Sequence, residues 1–252
     1  MKTLFLTGAA EGIGREVARL FYSKGYNVAF MDINEEQSRE TVEGWDVARY
    51  RTFTGDVRSK ADIKQAVDAT IATFGHIDTL VLNAGIHRSN SILSIEESEL
   101  DMMIDINVRG YINTIRDVLP HMVEAGGGSI VANVSDQAFI SKGNSFGYAL
   151  TKGAVASMVR SVAVDYGKHG ITISGVCAGT IDTPLARRAL QRWADRDLEG
   201  NLDKAIELEA TDFPVGRIGQ PEEVAAMFYF LANAPFVTGS LHLIDGGLVA
   251  GR

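Results

Sequence analysis

Six short runs punctuate the chain: Thr3–Leu6, Asn27–Met31, Thr79–Leu82, Ser129–Asn133, Ile171–Val176 and Leu241–Ile244. Each is hydrophobic rather than alternating. A strand with one wet face alternates, whereas a strand covered on both faces does not, so these runs read as strands of a parallel sheet. The gaps carry a different period. Ile13, Val17, Leu20 and Phe21 form one stripe of a helix over Ile13–Lys24. Ile63–Phe74, Leu100–Val123, Ser145–Tyr166 and Pro221–Leu231 read the same way, and Pro221-Glu222-Glu223 starts a helix with proline first and acids in the first turn. Strand and helix alternate throughout. That predicts one doubly wound α/β domain over residues 1–252, with right-handed crossovers placing helices on both faces of the sheet.

No linker, repeat or low-complexity tract divides the chain, and Gly126-Gly127-Gly128 is a turn before a strand. Residues 184–213 stand apart as a polar, helix-prone insertion between strand regions, the pattern of a substrate lid. The 252 residues suffice for a core without disulfides or metals, and 46% hydrophobic with 22% charged residues is ordinary globular composition. The net charge of −8 disfavours nucleic acid and anionic membranes as partners. Arg187, Arg188, Arg192 and Arg196 cluster locally and read as a solvated helix face. Cys177 is the single cysteine and sits in an apolar run, where it packs rather than reacts. The chain enters its first strand within two residues and has no apolar run of membrane-spanning length, so a cytoplasmic protein is expected.

Thr7-Gly8-Ala9-Ala10-Glu11-Gly12-Ile13-Gly14 follows the first strand and opens the first helix. Glycines there let backbone approach a pyrophosphate, and the helix N-terminus offers free N–H groups to it. Asp32 ends the second strand, 18 residues beyond Gly14. A carboxylate at that point accepts from the adenosine ribose hydroxyls and repels a 2′-phosphate. Glu11 adds a second negative charge, and no Lys or Arg directly follows Asp32. Both features favour NAD over NADP.

Tyr148 and Lys152 are four apart and share a helix face. An ammonium beside a phenol favours the phenolate and makes tyrosine a usable acid/base near neutral pH. Ser135 lies 13 residues before Tyr148, just past the strand that ends at Asn133. Carboxyl ends of parallel strands are where such sheets hold ligands. Asn83-Ala84-Gly85 follows another strand end, and Asn107 lies in the next helix.

With these residues in place, the chain resembles the short-chain dehydrogenase/reductase family from Thr3 to Gly247. Thr7–Gly14, Asp32, Asp56-Val57, Asn83-Ala84-Gly85, Asn107, Ser135, Tyr148 with Lys152, and Gly179-Thr180-Ile181-Asp182-Thr183 carry the resemblance. Pro214-Val215-Gly216-Arg217, Pro221-Glu222-Glu223-Val224, Thr238-Gly239 and Asp245-Gly246-Gly247 extend it. The resemblance implies a Rossmann fold and an NAD-dependent oxidoreductase interconverting a secondary alcohol and its ketone. It implies Tyr148 as acid/base, Ser135 orienting the substrate oxygen, Lys152 on the nicotinamide ribose, and Asn107 holding a water that links Lys152 to solvent. Gly8, Gly12, Ile13 and Gly14 would cradle the pyrophosphate. Asp56 and Val57 would meet the adenine, Asn83, Ala84 and Gly85 the adenosine side, and Gly179, Ile181 and Thr183 the nicotinamide. A homotetramer, or failing that a dimer, is implied as well. Three positions depart from the family pattern: Leu82 stands for an asparagine, Ala178 for a proline and Ser174 for an asparagine. Losing the proline frees one backbone φ angle beside the nicotinamide.

The five histidines show no metal-ligand spacing, and no metal is expected. His76, His121, His169 and His242 read as structural residues in turns or strands. His87, two residues past Gly85, is placed at the active-site mouth. Gln137, Phe139, Asn144 and Phe146, between the serine and the tyrosine, together with Trp193 or Phe213, are candidates to line the pocket. Their mixture of apolar and hydrogen-bonding groups suits a polyol, sugar, sugar acid or small cyclic alcohol. The alternatives are a 3-oxoacyl-carrier-protein reductase, against which Glu11, Asp32 and the net charge argue, and a cofactor-binding regulatory protein without turnover.

Overall fold

The computed structural model describes residues 1–251. Seven parallel strands form one sheet in the order β3-β2-β1-β4-β5-β6-β7. They are β1 Thr3–Thr7, β2 Asn27–Asp32, β3 Tyr50–Thr54, β4 Thr79–Leu82, β5 Gly128–Asn133, β6 Ile171–Ala178 and β7 Leu241–Ile244. The chain order reverses between β1 and β4, which pair Leu4 with Thr79 through Thr7 with Leu82. Six strands match the sequence expectation. β3 was not expected, because Tyr50-Arg51-Thr52-Phe53-Thr54 is an edge strand, only half-buried, and lacks the continuous apolar run of its neighbours.

Nine helices cover the sheet among the described residues: α1 Gly12–Ser23, α2 Glu35–Thr41, α3 Lys60–Phe74, α4 Glu97–Ile104, α5 Gly110–Ala125, α6 Phe146–Tyr166, α7 Pro184–Asp197, α8 Leu202–Ala210 and α9 Pro221–Ala232. The two-faced burial explains the unbroken apolar runs. Phe5, Leu80, Leu82, Ile130 and Ile173 face one core, closed by α3, α5 and α6. Leu4, Leu6, Val28, Phe30, Val81 and Val131 face the other, closed by α1 and α9. Each of these side chains is fully buried, which contributes roughly 1.5–3 kcal/mol apiece against the entropy of ordering the chain.

The expected single helix over 100–123 is instead α4 and α5 joined by a π-helical turn at Asp105–Arg109. Wide turns of this kind re-aim a side chain, and this one carries Asn107. α7 and α8 form a pair with a small core of its own around Leu190, Ala194 and Ala205. Phe213 packs with Ile218 and Leu248 beneath them. Ala178, where the family pattern has proline, continues β6 by one register position opposite Ile244. No helix among the described residues is long and apolar enough to cross a membrane.

Candidate active site

A cleft of about 940 Å³ runs along the carboxyl ends of the strands, from Asp32 and Asp56 to the α7–α8 pair. It opens where the strand order reverses, the position at which such sheets hold ligands.

Its first half fits a dinucleotide. The turn from β1 into α1 holds Gly8 and Gly12 at φ +78° and +58°. A Cβ on Gly8 would stand 2.7 Å from the Ala84 Cα, and one on Gly14 would collide with the Gly8 carbonyl. Only glycine lets this turn lie against Asn83 and Ala84. The first N–H groups of α1 receive no side-chain cap from Glu11, so an uncapped helix N-terminus faces the cleft beside Gly12 and Ile13. That is a fit for pyrophosphate. Asp32 stands at the end of β2, its Oδ2 accepting from the Ala10 N–H at 2.9 Å and its Oδ1 from Asn34 N–H at 2.9 Å. Each oxygen keeps acceptor capacity for a ribose hydroxyl. Asp56 is ion-paired to Arg58, whose guanidinium holds the carboxyl below its usual range. Val57 is buried against Gly110. Gly85, Gly179, Ile181 and Thr183 line the same cleft.

Glu11 has an ion-pair partner that its place in the sequence does not reveal. Its carboxylate pairs with Arg188 of α7 at 2.5 Å, so its charge is compensated and the glycine turn is tied to the α7–α8 pair. Asp32 is left as the unpaired carboxylate at the adenosine end.

The second half of the cleft brings together three of the four expected catalytic residues, Ser135, Tyr148 and Lys152, while Asn107 lies behind its wall. Lys152 is buried, and its ammonium donates to the Asn133 carbonyl at 2.7 Å and lies 5.4 Å from the Tyr148 ring centre. Burial pulls its pKa down to about 8. Burial pushes the Tyr148 phenol well above its ordinary value; the Asp136 charge adds to this and the Ser135 hydroxyl opposes it. Ser135 donates to Asp136 Oδ1 at 2.7 Å and accepts from the Gln137 N–H at 3.1 Å. Asn107 is fully buried. Its Oδ1 accepts from Ile86 N–H, and its Nδ2 donates to the Ile86 carbonyl and to Thr151 Oγ1. It therefore braces the loop after β4 against α6, the helix that carries Tyr148 and Lys152.

Of the expected pocket residues, His87, Gln137, Asn144 and Trp193 line the cleft, whereas Phe139, Phe146 and Phe213 do not. The His87 ring meets Tyr148 edge-on with centres 4.9 Å apart. Burial, with Arg192, Arg88 and Lys142 nearby, pulls His87 down to about 4. His121 lies within α5 rather than in a turn or strand. Cys177 is buried, and burial raises its thiol to about 11.

Sequence reading missed several members of the site. Asn133 receives Lys152 on its carbonyl and donates its amide to Asn83 Oδ1 at 2.8 Å, and Asn83 in turn donates to the Gly8 carbonyl at 2.6 Å. Its place at the end of a buried strand, before Ser135, was the available signal. Lys142, Thr180 and Glu209 form a network across the cleft wall, with Lys142 3.1 Å from Thr180 Oγ1 and 2.5 Å from Glu209. Their separation in sequence hid them. Asp136 was overlooked although it adjoins Ser135.

Residues 8–249 match a family model described as enoyl-(acyl carrier protein) reductase. The oxidoreductase UcpA of Salmonella typhimurium is 35% identical over 98% of this chain and 94% of its own length. A solved short chain dehydrogenase family protein from Francisella tularensis is 35% identical, with a TM-score of 0.88 over 99% of both chains. The aldohexose dehydrogenase of Thermoplasma acidophilum, solved ligand-free, is 34% identical, with a TM-score of 0.89 over 100% of this chain and 94% of that one. The chain belongs to the short-chain dehydrogenase/reductase family.

Proposed function

We propose that the protein is an NAD-dependent dehydrogenase that interconverts a secondary alcohol and its ketone, with a polyol, sugar, sugar acid or small cyclic alcohol as substrate. One observation carries this reading: Ser135, Tyr148 and Lys152 converge at the inner end of a cleft whose outer end presents Asp32 beside an uncapped helix N-terminus. The cofactor, when bound, supplies or accepts the hydride and, oxidised, a positive charge beside the phenol. This chain supplies the proton handling. Tyr148 takes the alcohol proton in oxidation and returns it in reduction. Ser135 positions the reacting oxygen, and Lys152 holds the ribose and favours the phenolate. Asn107, besides bracing Ile86, has acceptor capacity left on Oδ1 for a water leading from Lys152 to solvent. The helix pair over 184–213 acts as the substrate lid, latched by Glu11–Arg188, with Trp193 as an apolar wall.

The sugar-like substrate is supported by the mixture of Gln137, Asn144, His87 and Trp193 on the wall, and by likeness to an aldohexose dehydrogenase. The description of the matching family model favours a second reading, an acyl-carrier-protein reductase; Asp32 and the acidic charge balance argue against it. A screen of NAD reduction over alcohols, polyols, sugars and sugar acids tests the proposal, with Tyr148→Phe as control. Tyr148→Phe keeps the ring and removes the transferable proton, so NADH binding persists while turnover falls by about 10²-fold or more. Near wild-type turnover in Tyr148→Phe, with an inactive His87→Ala enzyme, would shift the chemistry to His87.

A further inference from the structure

Six buried side-chain polar atoms lack a hydrogen-bond partner among the described residues: Thr3 Oγ1, Arg49 Nε, His87 Nδ1, Asn90 Nδ2, Asp136 Oδ2 and Gln137 Oε1. His87, Asp136 and Gln137 all line the substrate half of the cleft. A buried polar atom without a partner is costly, and more so when it carries charge. Such atoms are rare in folded proteins, and a cluster of them in one cleft marks the place where a ligand completes the bonding.

Asp136 is the sharpest of the three. Its residue is 3% exposed. One carboxylate oxygen, Oδ1, accepts the Ser135 proton at 2.7 Å, and the other accepts nothing. The nearby cation does not complete it, since Lys142 is spent on Glu209 and Thr180. Burial raises the Asp136 pKa, opposed by the Ser135 hydroxyl and Lys142; as a carboxylate it has acceptors only, so the missing partner brings an O–H or N–H. The position is equally specific. The Ser135 hydroxyl bridges Asp136 Oδ1 and the Gln137 N–H, so Asp136 is in direct contact with the group that positions the reacting oxygen. Asp136 Oδ2 therefore sits one carboxylate width from the oxygen that Ser135 contacts. A second donor that close belongs to the carbon beside the reacting one.

We propose that Asp136 is a specificity-determining residue that accepts a hydrogen bond from a second hydroxyl close to the reacting carbon, making the substrate a vicinal diol unit, as in a polyol or sugar, rather than a mono-alcohol. Gln137 and His87 add two further unpartnered groups on the same wall, which suits a substrate with several hydroxyls. The proposal rests on the dehydrogenase reading above for the placement of the reacting oxygen. A diol hydroxyl on Asp136 also relieves the negative charge that opposes ionisation of Tyr148, so recognition and proton transfer favour the same substrates.

Binding to the wild-type enzyme–NADH complex, which cannot oxidise an alcohol, tests the proposal apart from turnover. The probes are trans-cyclohexane-1,2-diol, cyclohexanol and trans-2-fluorocyclohexanol; the last is close to the diol in size but has no second proton to give. The diol is expected to bind at least about tenfold tighter than both others, the scale of one hydrogen bond to a charged group. Asp136→Ala should abolish the gap. Asp136→Asn, which keeps the shape and the Ser135 acceptor, should shrink it at an unchanged melting temperature, and it decides the matter if the alanine variant does not fold. Equal affinities in the wild type, no measurable binding of the diol, or a gap unchanged in Asp136→Asn would each overturn the proposal. Failure of the dehydrogenase reading appears separately, as NAD reduction that persists in Tyr148→Phe.

Discussion

The Lys152 ammonium is hydrogen-bonded to the Asn133 carbonyl at 2.7 Å, and Asn133 is itself fastened to Asn83 and thereby to the glycine turn. One part-buried chain of hydrogen bonds thus links the acid/base helix to the dinucleotide half of the cleft. Lys152→Met removes the charge and unlinks the two halves. The KM for NAD should rise. The pH profile of alcohol oxidation should also move to higher pH, because a positive charge favours the phenolate and its loss raises the tyrosine pKa. A Lys152→Met profile with an unmoved midpoint would show that the lysine holds ribose only.

Asp136 acts on the same phenol with the opposite sign. Its negative charge is among the causes that raise Tyr148. Asp136→Asn should therefore displace the oxidation profile to lower pH while Lys152→Met displaces it to higher pH. Measuring both variants with one alcohol over the same buffers separates an electrostatic effect from general damage, which would lower the plateau without moving the midpoint.

The cofactor preference now rests on Asp32. Both its oxygens already accept backbone N–H groups, so the carboxylate is held in place and a 2′-phosphate would meet a fixed negative charge. NADH should bind at least about tenfold tighter than NADPH, a difference near 1.4 kcal/mol. Asp32→Ala should narrow the gap and also cost about 1 kcal/mol of stability through the two lost backbone bonds. Glu11→Gln frees Arg188 and should raise NADPH affinity without changing that for NADH. Fluorescence titration reads all three, and equal wild-type affinities would refute the assignment.

His87 makes stability depend on pH. Its folded pKa is depressed to about 4, chiefly by burial, against about 6.5 in an unfolded chain. The unfolded chain then binds more protons between those values, so the stabilising contribution is complete above about pH 6.5 and is lost as pH falls toward 4. The full difference amounts to about 3 kcal/mol. His87→Phe should flatten the stability curve across that window in denaturant titrations. His87 should also stay neutral by NMR down to about pH 5; protonation near 6.5 would show that the ring is solvated.

Legibility in the sequence followed burial and spacing. Leu4, Leu6, Leu80 and Leu82 are covered on both faces, so their runs announced strands; Tyr50–Thr54 at the edge did not. Tyr148 and Lys152 lie one helix turn apart, a spacing too common to mark them alone; Ser135 just past a strand end and the family resemblance singled them out. The π-helical turn at Asn107 leaves the apolar stripe of the surrounding helices almost undisturbed, so periodicity passed over it. Glu11 was read as a free charge because its partner, Arg188, is 177 positions away. The orphaned oxygen of Asp136 is a property of packing, which no spacing rule reports.

Leu150 and Val164 of α6 are 45% and 83% exposed, and 14 residues of helix is close to four turns, so both lie on one side of α6. Phe230 of α9 and Phe236 just beyond it form a second exposed apolar patch, with Phe230 58% exposed. A monomer that leaves two such patches in water is poorly served, and two self-complementary patches on one chain generate paired two-fold axes. A homotetramer is expected, with the α6 face making one interface and the C-terminal face the other. Val164→Glu should split the first and Phe230→Glu the second, each leaving dimers, and the double variant should leave monomers. Light scattering at micromolar concentration reads the mass directly. A wild-type monomer would refute the arrangement, and a wild-type dimer that only one of the two substitutions dissociates would identify the single interface in use.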